Sequence, residues 1–310
     1  MDPVVLFFLL GVVARLAKSD LRLPEALYET LSIYLLLAIG LKGGVELAKH
    51  PISTVAPQAA AVVAMGLMLP LLAYPVLRFV GKLNNFDSAS IAAHYGSVSV
   101  VTFAVGLAFV TKRGIPFEEY MPLFVALLEV PGIVVGILLA RLHTLKQVHW
   151  GELTHEIMFG KSVVLLVGGL IIGWIAGPQG IDPMRGLFFD LFKGVLALFL
   201  LEMGLVAASR LGDLKRAGAF LIAFGVLTPV AFACIGAALG TAIGLSLGGT
   251  TLLAVLAASA SYIAAPAAIR IAIPEANPSL SIGPALGITF PFNLTIGIPL
   301  YLEIAKKLHG

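Results

Sequence analysis

The chain has 310 residues, of which 59% are hydrophobic and 12% charged, with a mean hydropathy of +1.01. Soluble chains carry roughly 25% charged residues, so this one has too few to clothe a water-soluble globule, and its apolar content equally excludes a disordered chain. The formal charge of +3 is spread without a run of like charges, so nucleic acid is not an expected partner.

A bilayer span needs about 20 apolar residues, fewer where a helix is short or broken. In chain order the candidates are 4–17, 24–47, 54–80, 88–110, 120–142, 162–176, 186–208, 217–245, 250–271 and 282–305. The joints carry Pro, Gly and charge, as in Lys82-Leu83-Asn84-Asn85 and Gly177-Pro178-Gln179-Gly180. The first run follows Met1-Asp2-Pro3 without a basic segment, so no cleaved signal peptide is expected. Cys234, the single cysteine, lies in an apolar run and is expected to pack; it excludes an intramolecular disulfide and a cysteine metal site.

The one hydrophilic stretch, 143–161, holds His143, Lys146, His149, Glu152 and Glu156 and separates residues 1–142 from 162–310, five spans each. With ten spans, the odd-numbered connections collect Arg15, Lys18, Arg22, Arg78, Lys82, Arg141, Lys146, Lys161, Arg210, Lys215, Arg216 and Arg270, the larger share of the 20 basic residues. The positive-inside rule then puts the central linker in the cytoplasm and both termini outside.

The two halves echo one another. Gly96-Ser97-Val98-Ser99, Arg113-Gly114-Ile115-Pro116 and Glu129-Val130-Pro131 recur in order as Ser259-Ala260-Ser261, Arg270-Ile271-Ala272-Ile273-Pro274 and Thr289-Phe290-Pro291. Ile39-Gly40-Leu41 likewise answers Met203-Gly204-Leu205. An odd number of spans per half makes such repeats inverted, which is the build of secondary transporters. The expected fold is an all-α polytopic membrane protein, about ten helices as 5+5 inverted repeats with two of them broken.

The breaks are expected at Gly96, Ser97, Val98, Ser99 and Thr102 in the fourth span and at Ser259, Ala260, Ser261 and Tyr262 in the ninth, where Pro266 forces a kink or restart. A restarted helix presents unpaired N–H groups and about half a positive charge, with serine hydroxyls close by. Two such starts meeting near mid-membrane suit a small planar oxyanion, so these nine residues are the candidate substrate site. Serine and glycine also serve close helix packing, the competing role for each residue alone.

Glu129 and Glu202 sit inside apolar spans, where an ionisable group costs a few kcal/mol unless paired, protonated or hydrated. Glu129 answers Thr289 in the repeat, and Asn293 lies four residues on; carboxylate, hydroxyl and amide oxygens suit a hard monovalent cation. Glu129, Thr289 and Asn293 are therefore the candidate cation site, with Na+ as the coupling ion and no other cofactor expected. An interhelical hydrogen bond is the alternative for each carboxylate, and a structural hydrogen bond the alternative to proton carriage for His94. No His-Glu-x-x-His, Gly-x-Ser-x-Gly or phosphate-binding Gly-Lys loop occurs, so no enzyme is expected.

At these residues the chain resembles the sodium-dependent bicarbonate permease family, from Ile39-Gly40-Leu41-Lys42-Gly43-Gly44 through Glu129-Val130-Pro131 to Ile273-Pro274-Glu275-Ala276-Asn277-Pro278-Ser279. The resemblance implies bicarbonate or a similar small anion held between two broken helices, a core moving against a gate, a homotrimer in the bacterial inner membrane, and a PII-like regulator. It also shows departures. Tyr262 stands where the cyanobacterial branch has an aspartate, Ala264-Ala265 where it has Ser-Gly, and the linker of 143–161 is short for docking a regulator. Coupling to Na+ or H+ thus stays open. A sodium/proton antiporter, a passive anion channel and an intramembrane sensor are the rival readings.

Overall fold

The computed structural model describes residues 3–141, 151, 155, 159–209 and 211–309, with 211–217 as backbone only. The linker residues His143, Lys146, His149, Glu152 and Glu156 lie outside the described residues. The structure is 84% helix and has no strand among the described residues. Eight helices are long and apolar enough to cross a bilayer, and two apolar helices, Pro3–Leu16 and Leu247–Ala257, are shorter.

Helix α1 is Pro3–Leu16, α2 Glu25–Leu47 and α3 Ile52–Pro75, which ends in a π-helical turn, Val76–Val80. The expected fourth span is two helices, α4 Asn85–Gly96 and α5 Val100–Lys112. The fifth is also two, α6 Met121–Glu129 and α7 Pro131–Arg141, because Pro131 offers no N–H to continue the ladder. After the linker come α8 Lys161–Ile181, α9 Phe192–Ser209 and α10 Leu211–Ala242. The ninth candidate is α11 Leu247–Ala257 and α12 Ala264–Ala272, and the last is α13, Pro278–His309, which includes two π-helical turns.

Glycines set the kinks. Gly177 (φ 63°) bends α8 and Gly218 (φ 72°) bends α10, both in the left-handed region that only glycine enters cheaply. The outer surface carries large apolar side chains, with Ile175 76%, Phe79 73% and Leu227 66% exposed, as lipid rather than water demands. Cys234 is exposed on α10 rather than packed.

Two helix pairs, α1 with α9 and α2 with α8, make one group, and the other helices pack around α4, α5 and α11. Both pairs cross on glycine. A Cβ on Gly11 would strike the backbone of Leu201, Gly204 and Leu205, and one on Gly204 would strike Phe8, Gly11 and Val12. Gly40 and Gly44 meet Leu166, Gly169, Leu170 and Trp174 in the same way, answered by Gly169 and Gly173 against 37–45. Small residues four apart let backbones approach where lipid supplies no hydrophobic drive between helices.

Overpacking a filled interface costs typically 1–3 kcal/mol, more where the neighbour is backbone. Gly44→Leu is expected to cut the yield of folded protein severely and lower its thermal midpoint. Gly168→Leu, on the partner helix α8 but with open space beyond its Cα, is expected to leave both unchanged in detergent melting curves.

Candidate functional site

Helix α4 stops where Ser97 turns extended (φ −96°, ψ 170°), after its N–H donates to Ala93 O (3.1 Å). Two residues on, Ser99 opens α5 as its N-cap, accepting from Thr102 N–H at 3.1 Å, while Phe103 N–H donates to Ser99 O. The N–H groups of Val100 and Val101 belong to the first turn and have no acceptor within the helix. Gly96 has a packing reason as well: a Cβ there would meet the Pro70 ring, and Gly132 of α7 lies against its carbonyl.

The second break is built alike. Helix α11 ends at Ala257, and α12 restarts at Ala264 with Pro266 as its third residue, where the missing N–H costs nothing. Ser261 Oγ accepts from Ala265 N–H at 3.1 Å, as Ser99 does for Thr102. The two breaks bond directly to one another. Ser99 N–H donates to Ser259 Oγ (2.9 Å), and Ser261 N–H donates to His94 O (2.8 Å).

One small cavity is lined by both helix starts: Val98, Ser99 and Val100 from the first break, and Ser261, Tyr262, Ile263 and Ala264 from the second, with Glu129 and Ser162. Its open space, ≈ 10 Å³, is enough for about one water. The serines divide by their hydroxyl protons. Ser97 Oγ donates to Glu129 O (2.8 Å) and Ser259 Oγ to Leu256 O (2.8 Å), so these two brace the backbone. Ser99 and Ser261 only accept from backbone in their caps, which leaves each with a proton to donate towards the cavity. The Tyr262 hydroxyl is buried beside the Ser99 hydroxyl, and its ring meets Phe290 edge-on at 5.4 Å.

Glu129 is 2% exposed and faces two cavities, this one and a larger space of ≈ 150 Å³ that runs beside Ile133, Ala267 and Ala268 to Gly160 and Lys161 at the start of α8. One carboxylate oxygen is paired with the Ser162 hydroxyl; Oε2 has no partner. Thr289 and Asn293 line neither cavity. Thr289 Oγ1 donates to Gly225 O (2.7 Å), so the Tyr95 hydroxyl, 2.7 Å away, must donate to it. Asn293 Nδ2 donates to Ala258 O (2.9 Å) at the end of α11, and Asn293 Oδ1 accepts from the Tyr301 hydroxyl (2.6 Å). Asn293 thus holds the second break and Thr289 ties Tyr95, beside the first, to α10, while Glu129 faces open space. Among the described residues no cluster of three or more His, Cys, Asp or Glu side chains is placed to hold a metal ion.

His94 Nδ1 donates to Ser90 O (2.7 Å), which leaves Nε2 a buried acceptor without a partner. Glu202 lies on α9 away from both cavities, accepting from Leu23 N–H ahead of α2. Sequence reasoning missed Ser162 and Gly132. Ser162 reads as the edge of the linker, and Gly132 as one more small residue after a proline; only the fold brings them to the breaks.

Residues 3–306 match the Na+-dependent bicarbonate transporter superfamily, and the chain belongs to it. No curated protein matches the chain. The protein is accordingly a multi-pass membrane transporter and not an enzyme.

Asn293→Leu would leave Ala258 O and the Tyr301 hydroxyl buried and unpaired, each costing about 1–3 kcal/mol. It is expected to lower the thermal midpoint whether or not Na+ is present, whereas Tyr301→Phe, removing one of the two bonds, shows a smaller drop. A midpoint that falls only in Na+ would instead place Asn293 on the cation.

Proposed function

We propose that this chain is a Na+-coupled secondary transporter of bicarbonate or a similar small anion, working by alternating access. One observation carries the reading: the starts of α5 and α12, with the free hydroxyl protons of Ser99 and Ser261, line a single buried cavity. Helix starts supply N–H donors and positive potential without a buried cation, and a planar oxyanion offers acceptors all round. Ser97, Ser259, Gly96 and Ala260 shape the backbone of the site, and Thr102 completes the cap of Ser99. The Tyr262 hydroxyl supplies a further donor and narrows the space.

Bicarbonate has four heavy atoms and the cavity takes about one water, so substrate entry requires the walls to part. The walls that part are the α1, α2, α8 and α9 group, acting as gate, and the helices bearing the breaks, acting as core. Reciprocal glycine crossings, Gly11 with Gly204 and Gly40 with Gly169, support ten spans arranged as 5+5 inverted repeats, since α1 then answers α8 and α2 answers α9. The same reading includes a homotrimer in the bacterial inner membrane with both termini outside and the linker cytoplasmic, where a PII-like regulator would dock.

Glu129 is the cation ligand in this reading, with its unpaired Oε2 and the Ser162 hydroxyl facing the cavity beside the anion; Asn293 contributes through the second break and Thr289 through Tyr95 beside the first. The same unpaired carboxylate favours one second reading, proton coupling. Uptake of labelled bicarbonate into proteoliposomes decides between them. An inward Na+ gradient is expected to drive accumulation and an inward H+ gradient alone is not; the reverse makes the protein H+-coupled, and no uptake under either removes bicarbonate as substrate. Ser99→Leu and Ser261→Leu are each expected to cut uptake at least tenfold in folded protein, and Ser97→Ala to act chiefly on stability.

A further inference from the structure

The cavity at the breaks is one of a series. Along α2, residues Ser32, Leu35, Leu36 and Ile39 line a constriction of ≈ 10 Å³; Ala38, Ile39 and Lys42 line a cavity of ≈ 310 Å³; Lys42, Val45, Glu46 and Lys49 line a third space of ≈ 360 Å³. Steps of three and four place all of them on one stripe of the helix. A parallel stripe runs up α5, from Val100, Val101 and Ala104 at the constriction to Leu107, Ala108 and Thr111 at the larger cavity. Neighbouring spaces share residues throughout: Lys42, Phe189 and Asp190 join the outer two, Ile39 joins the next pair, and Val100 and Ile263 join the constriction to the cavity at the breaks. Since the space beside Glu129 reaches the start of α8 and the outermost space reaches its end, the series runs along the whole of that helix, roughly 30 Å at 1.5 Å per residue.

Charge along this series changes sharply at one residue. From the breaks outward the walls carry no charge and, Ser32 apart, are apolar, namely Leu35, Leu36, Ile39, Val101, Ala104 and Phe199, until Lys42. Lys42 lies within α2, partly buried, where an ionisable side chain marks function by default. Among the described residues it forms no ion pair; its ammonium stands 6.0 Å from the Phe117 ring, with the Glu119 carboxylate in its field. Glu46, the closest acid on its own helix, is instead paired with Lys49 at 2.7 Å. Lys193 and Asp190 face the same cavity from the start of α9 and the turn before it.

We infer that Lys42 forms a second anion site, an entry station where the transported small oxyanion is held between α2 and α5 before the apolar constriction opens to the breaks. The inference rests on the anion-transport reading above. The cavity of ≈ 310 Å³ admits a bicarbonate with part of its hydration, and a fixed positive charge in a low-dielectric cleft raises local anion concentration and on-rate, by 10-fold or more. The constriction then keeps entry station and breaks from being open together, as a transporter requires and a channel does not.

The test is initial-rate uptake of external labelled bicarbonate by cells expressing each variant, with a thermal midpoint of the purified variant beside it. Wild-type uptake must be present first; its absence overturns the transport reading and not the role of Lys42. Lys42→Gln is expected to raise the apparent KM about five- to tenfold with maximal rate within twofold and an unchanged midpoint, and Lys42→Arg to restore KM. Lys42→Met, which keeps the apolar stem, should match Lys42→Gln. A wild-type KM in Lys42→Gln or Lys42→Met overturns the inference. So does a loss of maximal rate at constant KM with a lowered midpoint, which would make Lys42 a structural partner of Glu119.

Discussion

A lipid bilayer offers no hydrogen bonds, so backbone that leaves a helix inside it must be enclosed by protein. Everything distinctive in this molecule follows from enclosing two such interruptions. The segment containing the first, from Asn85 to Lys112, is the most buried of the long spans, whereas the segment from Lys161 to Met184 lies largely open to lipid. Each interruption is sealed by the other: Ser99 N–H finds Ser259, and Ser261 N–H finds His94 O. The Ala258 carbonyl freed at the second break is met from outside by Asn293, and Ser97 of the first break in turn donates to the Glu129 carbonyl at the end of α6. What stays unpaired is the set of donors at the helix starts, and those line the cavity.

Sealing and the proposed anion binding therefore use different members of one residue set. A serine whose proton is spent on a carbonyl cannot also donate to an anion, so Ser97 and Ser259 fall to structure while Ser99 and Ser261 keep a proton for the cavity. The same accounting separates Glu129, with an unsatisfied oxygen in open space, from Thr289 and Asn293, whose polar atoms are already met by protein. Residues that answer one another in the sequence need not do the same job: Glu129 touches the first break through its carbonyl and a cavity through its carboxylate, whereas Thr289 anchors Tyr95.

The breaks were legible in the sequence because they violate helix propensity in place: Gly-Ser-Val-Ser inside an apolar run, and Ser-Ala-Ser followed by Pro266 in another. The membrane setting was legible from composition alone. What the sequence hides is pairing at a distance. Gly40 looks like its counterpart Gly204, yet the two never touch; each meets a glycine of the other half, Gly169 or Gly11, which no local pattern announces. The ninth span differs in extent from its apolar run, since α11 has 11 residues, while α1 keeps the 14 of its own; at such lengths hydropathy alone cannot tell a short span from half of a broken one. The break at Val130 was hidden because a proline midway along a strongly apolar run reads as a tolerated kink.

The string Ile273-Pro274-Glu275-Ala276-Asn277-Pro278-Ser279 carries the resemblance most specifically, and its place in the fold explains the density of that signal. Half-helix α12 has its start in the cavity, so its far end must be held or the start will drift. Arg141, the last residue of α7, donates to Ala272 O through Nε and Nη2 (3.1 and 3.0 Å) and pairs both carboxylate oxygens of Glu275 (2.7 and 2.8 Å), over the Phe86 ring. Partial burial acts to raise the Glu275 carboxyl, but the guanidinium outweighs it and holds the group below the usual carboxylate range. That contact is present at neutral pH and is lost only on acidification through that lowered range. Asp87 accepts from Asn277 N–H (2.7 Å) while Asn277 caps α13 through Ser279 N–H. Ile273 and Ala276 fill a small core with Ala89, Ala93, Ile133 and Ile137 of α4 and α7. One short segment thus fixes α12 to α4, α7 and α13 at once, and Arg141 ties that clamp to the end of α7, ahead of the linker.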